Sequence, residues 1–288
     1  MTPRPDSSAR PLSATLTRAA LGAIVPLAIL AVWHWASTVS VVVPSIGRVA
    51  DVLAHPFRRP ADLDATSLAD GLTVSVLRVA LGFGLAALTA VPAGLLIGRS
   101  TSARAVFQPT ISAAMSISPV AWLPIAIITF GLSSPATVAY GQGAWRHGLL
   151  DQLRFAVVAV IWLASFFPIV VNAAAGAAGV KQSHLEAVKV LGAGRWDLLC
   201  KVILPASVPS IVTGLRVGGG IAWRVIVAAE IFPGTRGGLG YMIATAHEQA
   251  SYEYAFAAVV VIGAIGVGLD GAFRVLAARV GHWQSREK

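Results

Sequence analysis

An all-α polytopic membrane protein, with about six transmembrane helices, is the fold class this chain predicts, and three observations carry it. Of 288 residues, 56% are hydrophobic and only 12% are charged, about half the charged share of a typical globular domain. The mean hydropathy is +0.74. The apolar residues form continuous blocks of about 20 or more, long enough to cross a hydrocarbon core of roughly 30 Å as helices. These blocks do not alternate with period two, which sets a β-barrel aside.

Residues 1–18 are rich in Pro, Ser and Arg and read as a disordered cytoplasmic tail. Arg4, Arg10 and Arg18 ahead of an apolar run also suit a signal peptide, but no small-x-small cleavage site follows, so the first span reads as uncleaved. Spans are expected near 20–39, 71–97, 105–131, 155–178, 208–232 and 254–277. A single transmembrane domain therefore covers 19–280, with its core at 70–280, a polar loop at 180–207 and a second cytoplasmic tail at 281–288. Pro92 in the second span, Pro109, Pro119 and Pro124 in the third and Pro168 in the fourth predict bends. Such bends are tolerated where neighbouring helices or water satisfy the freed backbone groups. Gly214 with Gly218, Gly219 and Gly220, and Gly263 with Gly266 and Gly268, predict close helix contacts.

The net charge of +9 is spread among the loops, which suits the setting of topology better than nucleic-acid binding. With the N-terminus inside, thirteen Lys and Arg fall in inner segments and six in outer ones, and all four lysines are inner. The positive-inside bias thus places both termini and the loop at 180–207 in the cytoplasm. Cys200, alone in the chain, excludes an internal disulfide and reads as a small apolar filler of that loop. The six histidines are scattered, and no metal site is expected.

Charge inside a span is costly and therefore informative. Arg78, Arg216, Arg224 and Glu230 lie within the expected spans. Arg216 and Arg224 are eight residues apart, about 80° around a helix, so both can look toward one cavity. Positive charge along a path would suit an anion such as sulfonate, nitrate or bicarbonate. Alternatively, Arg78 and Arg216 snorkel to an interface while Arg224 or Glu230 pairs with a neighbouring span. Trp33, Trp35, Trp122, Trp162 and Trp223 read as interface anchors or packing residues.

The stretch from Glu186 to Pro205 is polar and helix-compatible between apolar spans, with Gly192 inside it. It resembles the signature loop of bacterial ABC-importer permeases, whose pattern is E-A-A, three residues, G, nine residues, I-x-L-P. Glu186, Ala187, Gly192, Leu204 and Pro205 match it, while Val188 and Val202 replace the second Ala and the Ile. The likeness extends to Leu77–Phe83, Pro92–Gly98, Ser118–Pro124, Phe166–Ile169, Thr213–Gly218, Ala228–Glu230, Gly237–Tyr241 and Gly268–Asp270, in that order, as in permeases of the nitrate/sulfonate/taurine type. The resemblance implies a type I importer permease that works as a homodimer with two ATPase subunits on the cytoplasmic side and an extracytoplasmic substrate-binding protein. It further implies that Glu186, Ala187, Gly192, Ala193, Leu204 and Pro205 couple the permease to the ATPase. ATP and Mg would be bound by the ATPase, and no cofactor by this chain.

The chain departs from the pattern between Pro135 and the fourth span, where about twenty extra residues intervene. This insert, near 136–154, is expected on the outer face, where a binding protein docks. Trp145, Arg146 and His147 are its candidate contacts, since Trp and Arg dominate interface hot spots. A tolerated loop, or a short interfacial helix with Trp145 at the lipid boundary, is the plainer alternative.

No lysine follows a glycine, so the chain lacks a phosphate-binding loop and is not expected to be an enzyme. A secondary transporter driven by an ion gradient is the rival reading. It predicts repeated broken helices and intramembrane acids, and Glu230 is the one acid well inside a span, Asp270 lying nearer an end.

Overall fold

The computed structural model describes residues 12–59, 66–141, 148–232 and 236–281, and every regular element among them is helical. Helix α1 (Leu12–Val39) opens inside the stretch expected as tail. Between Leu12 and Arg18 there is neither Pro nor Gly to resist extension of the helix. Leu21, Val25 and Val32 on α1 are exposed, as suits a lipid-facing surface. The Trp33 indole fastens this helix by donating to the Pro44 carbonyl at 3.0 Å and lying 5.4 Å from the Phe256 ring.

The short α2 (Ile46–Ala54) is capped by Ser45 and buries Val49 and Val52. Next, α3 (Leu68–Arg99) begins at the Ser67 cap, whose hydroxyl accepts from the Asp70 amide at 3.2 Å. After α4 (Thr101–Met115) the expected third span is corrected: the helix stops, and residues 116–118 lead into a tight turn at Pro119–Trp122 before α5 (Leu123–Phe130). Pro119 has no amide to donate and disfavours helical geometry at Ser118, which is extended at ψ 128°. The third apolar stretch long enough to cross a membrane therefore runs from Pro119 to Tyr140, and six such stretches occur among the described residues.

Two small helices, α6 (Pro135–Tyr140) and α7 (Gly148–Gln152), precede α8 (Phe155–Ala178). The polar segment forms α9 (Gln182–Val190) and α10 (Arg195–Leu198), which continues through a widened turn at Leu199–Ile203 into α11 (Leu204–Ile231). The chain closes with α12 (Leu239–Glu248) and α13 (Tyr252–Gly281).

Small residues decide how these helices meet. On α3, Gly82, Ala86, Ala90, Gly94 and Gly98 recur every fourth position and are buried against α8. A Cβ on Gly82 would lie 2.7 Å from the Ile161 Cβ, and one on Gly94 2.7 Å from the Val170 carbonyl oxygen. On α11, Gly214 and Gly218 meet Asn172, Ser165 and Ile169 from the other side. With little hydrophobic drive between helices in lipid, such close van der Waals approach is what holds them. Helix α8 is thus clamped between α3 and α11, and Ile161, Ile169 and Ala173 are fully buried. Of the α13 glycines, Gly266 meets the Trp223 indole, which a Cβ would approach to 3.4 Å, while nothing among the described residues lies within 4 Å of a Cβ placed on Gly263 or Gly268.

Candidate coupling surface and intramembrane charges

At the loop between α8 and α11, Leu185 is the anchor. It is 1% exposed and packs in one cluster with Ala177, Leu198 and Ile203, seating α9 on the ends of the long helices. Glu186, Ala187 and Lys189 of α9 are exposed, and Gln182 Nε2 donates to Glu186 Oε1 at 3.1 Å. Gly192 then reverses the chain at φ +80°, a left-handed conformation that side chains with a Cβ resist, and its amide donates to the Lys189 carbonyl. Ala193 is half-buried, while Leu204 and Pro205 are exposed where α11 begins.

Around Gly192 the loop presents Val190, Leu191 and Trp196, 87%, 85% and 77% exposed. A polar loop that displays three large apolar side chains at its tip presents a contact surface. Sequence reasoning missed these three; the signal available was apolar residues on both sides of a glycine in a charged stretch. Cys200, read from the sequence as a small apolar filler of the loop, is an exposed free thiol in the widened turn.

Arg78 and Glu230, expected as possible path residues, meet each other instead. Arg78 Nη1 lies 2.8 Å from Glu230 Oε1, and both side chains are wholly enclosed. The snorkelling alternative for Arg78 is thereby corrected: its fork donates inward to the Gln152, Arg236 and Gly237 carbonyls. The Ser75 hydroxyl and the Gly240 amide also donate to the carboxylate. Gly238 sits at φ +109°, and a Cβ there would overlap the Glu230 carboxyl group. The Gly237–Gly240 pattern is therefore the mould around this carboxylate. Neither Ser75 nor Gln152 was singled out in the sequence; Gln152 contributes through its backbone, which carries no sequence signal.

Gln152 belongs to the insert, whose described parts fold back onto the protein. The Ser134 hydroxyl reaches Asp151 Oδ1 at 3.2 Å, Arg154 pairs with Asp151 at 3.6 Å, and Arg154 also donates to the Leu132 carbonyl. This end of the insert is therefore a short helix packed against the protein, with Asp151 6% exposed. Trp145, Arg146 and His147 lie outside the described residues.

Arg216 and Arg224 stand on the exposed side of α11. Arg216 does not snorkel; its Nε and Nη2 both reach Asp270 Oδ1 on α13, at 3.0 and 2.8 Å. Asp270 Oδ2 accepts from Arg274 at 2.5 Å. Arg224 Nε donates to the Gly220 carbonyl at 3.1 Å and has no carboxylate at ion-pair distance among the described residues. Three residues before it on α11, Ile221 lines a cavity of about 150 Å³ with Met115, Ile117, Trp122 and Phe167. This apolar cavity opens beside the break between α4 and α5; none of the four intramembrane charges lines it.

The family model described as "Binding-protein-dependent transport system inner membrane component" matches residues 90–282. A putative ABC transporter permease protein of Methanocaldococcus jannaschii is 36% identical over 248 residues, covering 86% of this chain and 85% of that protein. The taurine transport system permease protein of Escherichia coli is 31% identical, with 88% and 86% covered. The bicarbonate transport system permease protein of Synechococcus elongatus is 33% identical, with 77% and 73% covered. In fold, the chain is similar to a solved bacterial ABC transporter involved in import of the acidic polysaccharide alginate, with a TM-score of 0.58, 18% identity and 93% and 95% coverage.

Proposed function

The chain belongs to the family of binding-protein-dependent transport system inner membrane components, and from that premise we infer that it forms the translocation path of an ATP-driven importer for a small anionic or zwitterionic solute. The family works with an ATPase and a substrate-binding protein, and its permeases are non-catalytic subunits. Taurine and bicarbonate, named for two relatives, are the solute types to test first. The observation that carries the anion reading is Arg224: a guanidinium on the exposed side of a membrane-spanning helix, without a carboxylate partner among the described residues. An unneutralised charge at such depth is retained where it faces a partner or a water-filled path.

The coupling element in this reading comprises Glu186, Ala187, Gly192, Ala193, Leu204 and Pro205. Val190, Leu191 and Trp196 supply the apolar face that an ATPase groove buries. The positive-inside excess supports a cytoplasmic location for this surface and for both termini, in a bacterial inner membrane. Two copies of the chain enclose the path, and the outer face around the insert receives the binding protein through Trp145, Arg146 and His147. ATP and Mg bind the ATPase. When the ATPase pair closes, α9 and α10 move as a short lever on the ends of α8 and α11, and those helices open the path outward.

Reconstitution tests this directly. The permease, its ATPase and its binding protein are placed in proteoliposomes, and ATP-dependent accumulation of labelled taurine, bicarbonate and nitrate is measured. ATP-driven uptake of at least one of these solutes is expected. Uptake driven by an ion gradient without ATP would overturn the mechanism, and uptake only of solutes that carry no anionic group would overturn the anion assignment.

A further inference from the structure

Asp270 occupies a place that the proposed cargo would also fit. Arg216 lies twelve residues into α11, about 18 Å from the start of that helix, and Asp270 is eleven residues, about 16 Å, from the end of α13. Their meeting is set by two contacts. Gly219 leaves room for the Phe273 ring, which a Cβ would approach to 2.7 Å, and the Trp223 indole donates to the Ile262 carbonyl at 2.9 Å. These contacts hold α13 in register, so Asp270 stands opposite Arg216.

The geometry of the pair is incomplete. Both Arg216 nitrogens converge on one oxygen, Oδ1, while Oδ2 is held by Arg274. A guanidinium fork is best matched by two oxygens accepting two parallel bonds. The side chains of Arg216 and Asp270 are 42% and 40% exposed, so the fork is open to a competitor. Two guanidinium groups against one carboxylate leave a net positive charge at the site.

We propose that Arg216 is an anion-selecting station of the path and that Asp270 is its resident counter-ion, displaced by a passing oxyanion with two free oxygens. The proposal rests on the anion-importer reading above. In the empty transporter Asp270 occupies the fork; an arriving sulfonate, nitrate or bicarbonate takes Oδ1's place, while Arg274 retains the carboxylate. Return of Asp270 then expels the anion, so the site selects without trapping. Asp270 is in this sense a positioning residue, acting through Arg216.

The test uses the purified permease–ATPase complex, with sodium nitrate as the probe and the rise of its unfolding temperature as the readout. A ligand that binds the folded state raises that temperature in a saturable way. Asp270→Asn frees the fork, and its half-saturating nitrate concentration is expected to fall about fivefold below wild type, the order expected for a half-exposed ion pair. Asp270→Ser reaches the same freed fork by a shorter side chain and must show the same gain, which keeps the test decisive if the Asn variant does not assemble. In Arg216→Gln/Asp270→Asn the saturable component must vanish. Equal nitrate dependence in wild type and both Asp270 variants, or a gain that survives loss of Arg216, would overturn the station. A merely structural ion pair predicts lower stability in all variants and no gain in nitrate response. Anion uptake by wild type in proteoliposomes without these nitrate effects sinks the station alone; wild type that imports only solutes without an anionic group sinks the anion reading with it.

Discussion

The Arg78 guanidinium and the Glu230 carboxylate, 152 positions apart in the chain, meet at 2.8 Å with neither side chain reaching solvent. Through this pair α3 is joined to α11, and through the carbonyls that Arg78 also binds, to the segment before α12 and to the end of the insert. The pair sits at the end of the bundle opposite the α9–α10 loop, since Arg78 follows the start of α3 and Glu230 precedes the end of α11. It serves as a structural clamp at that end of the bundle.

Removal of one partner leaves an uncompensated buried charge, which costs about 3–5 kcal/mol. Arg78→Gln and Glu230→Gln are each expected to lower the unfolding temperature and the yield of assembled transporter. Arg78→Met/Glu230→Leu should recover part of that loss, because an apolar pair carries no desolvation penalty. Thermal unfolding of the purified complex is the measurement. Single variants as stable as wild type would show that the clamp is not needed.

The α9–α10 surface separates coupling from folding. Glu186→Lys, Gly192→Val and Trp196→Asp change exposed positions and are expected to abolish ATP-driven uptake while the permease still inserts. Leu185→Ala removes a buried anchor, costs about 2–5 kcal/mol and should lower the amount of folded protein instead. Uptake assays beside quantitation of membrane-inserted permease distinguish the two; normal uptake by Trp196→Asp would remove the apolar tip from the contact.

For Arg224, the neutral variant Arg224→Gln should reduce anion uptake about tenfold or more with assembly unchanged, the effect of losing roughly 1.4 kcal/mol at the path. Arg224→Lys keeps the charge without the fork and should fall between. Normal uptake in Arg224→Gln would mean that this charge serves something other than cargo.

The insert is expected to be sensitive at its end. Asp151→Ala leaves Arg154 largely buried without its carboxylate and removes an acceptor from Ser134, a loss of about 1–3 kcal/mol. It should lower the unfolding temperature, and Asp151→Asn less so. Deletion of 137–151 removes this anchor along with the exposed part, so it should destabilise the protein before any docking defect is measured. Unchanged stability after Asp151→Ala would return the whole insert to the role of a surface loop.

Membrane class, most span positions and the family-like loop were legible in the sequence because each depends on local information. A helix in lipid must satisfy its own backbone and cover it with apolar side chains, so length and hydropathy suffice to find it. The spacing from Glu186 through Gly192 to Pro205 is equally local, and Gly192 adopts the positive φ that only a residue without a Cβ reaches easily. The break before Pro119 was less legible, since proline is compatible with either a bend inside a helix or an end to it.

Which charges meet was settled by packing. Arg78 and Glu230 are indistinguishable in the sequence from charges that line a path, as are Arg216 and Arg224. Their fates diverge because the small-residue stripes of α3 and α11 set each helix's rotation and depth against α8, while Phe273 and Trp223 set those of α13 against α11. One arginine is thereby sealed against Glu230, another brought to Asp270, and the third left on an exposed face. Hydropathy places a residue along a helix to within a few positions, but a charge pair needs azimuth and height to agree within about 4 Å. Only side chains interlocked across three helices hold that agreement.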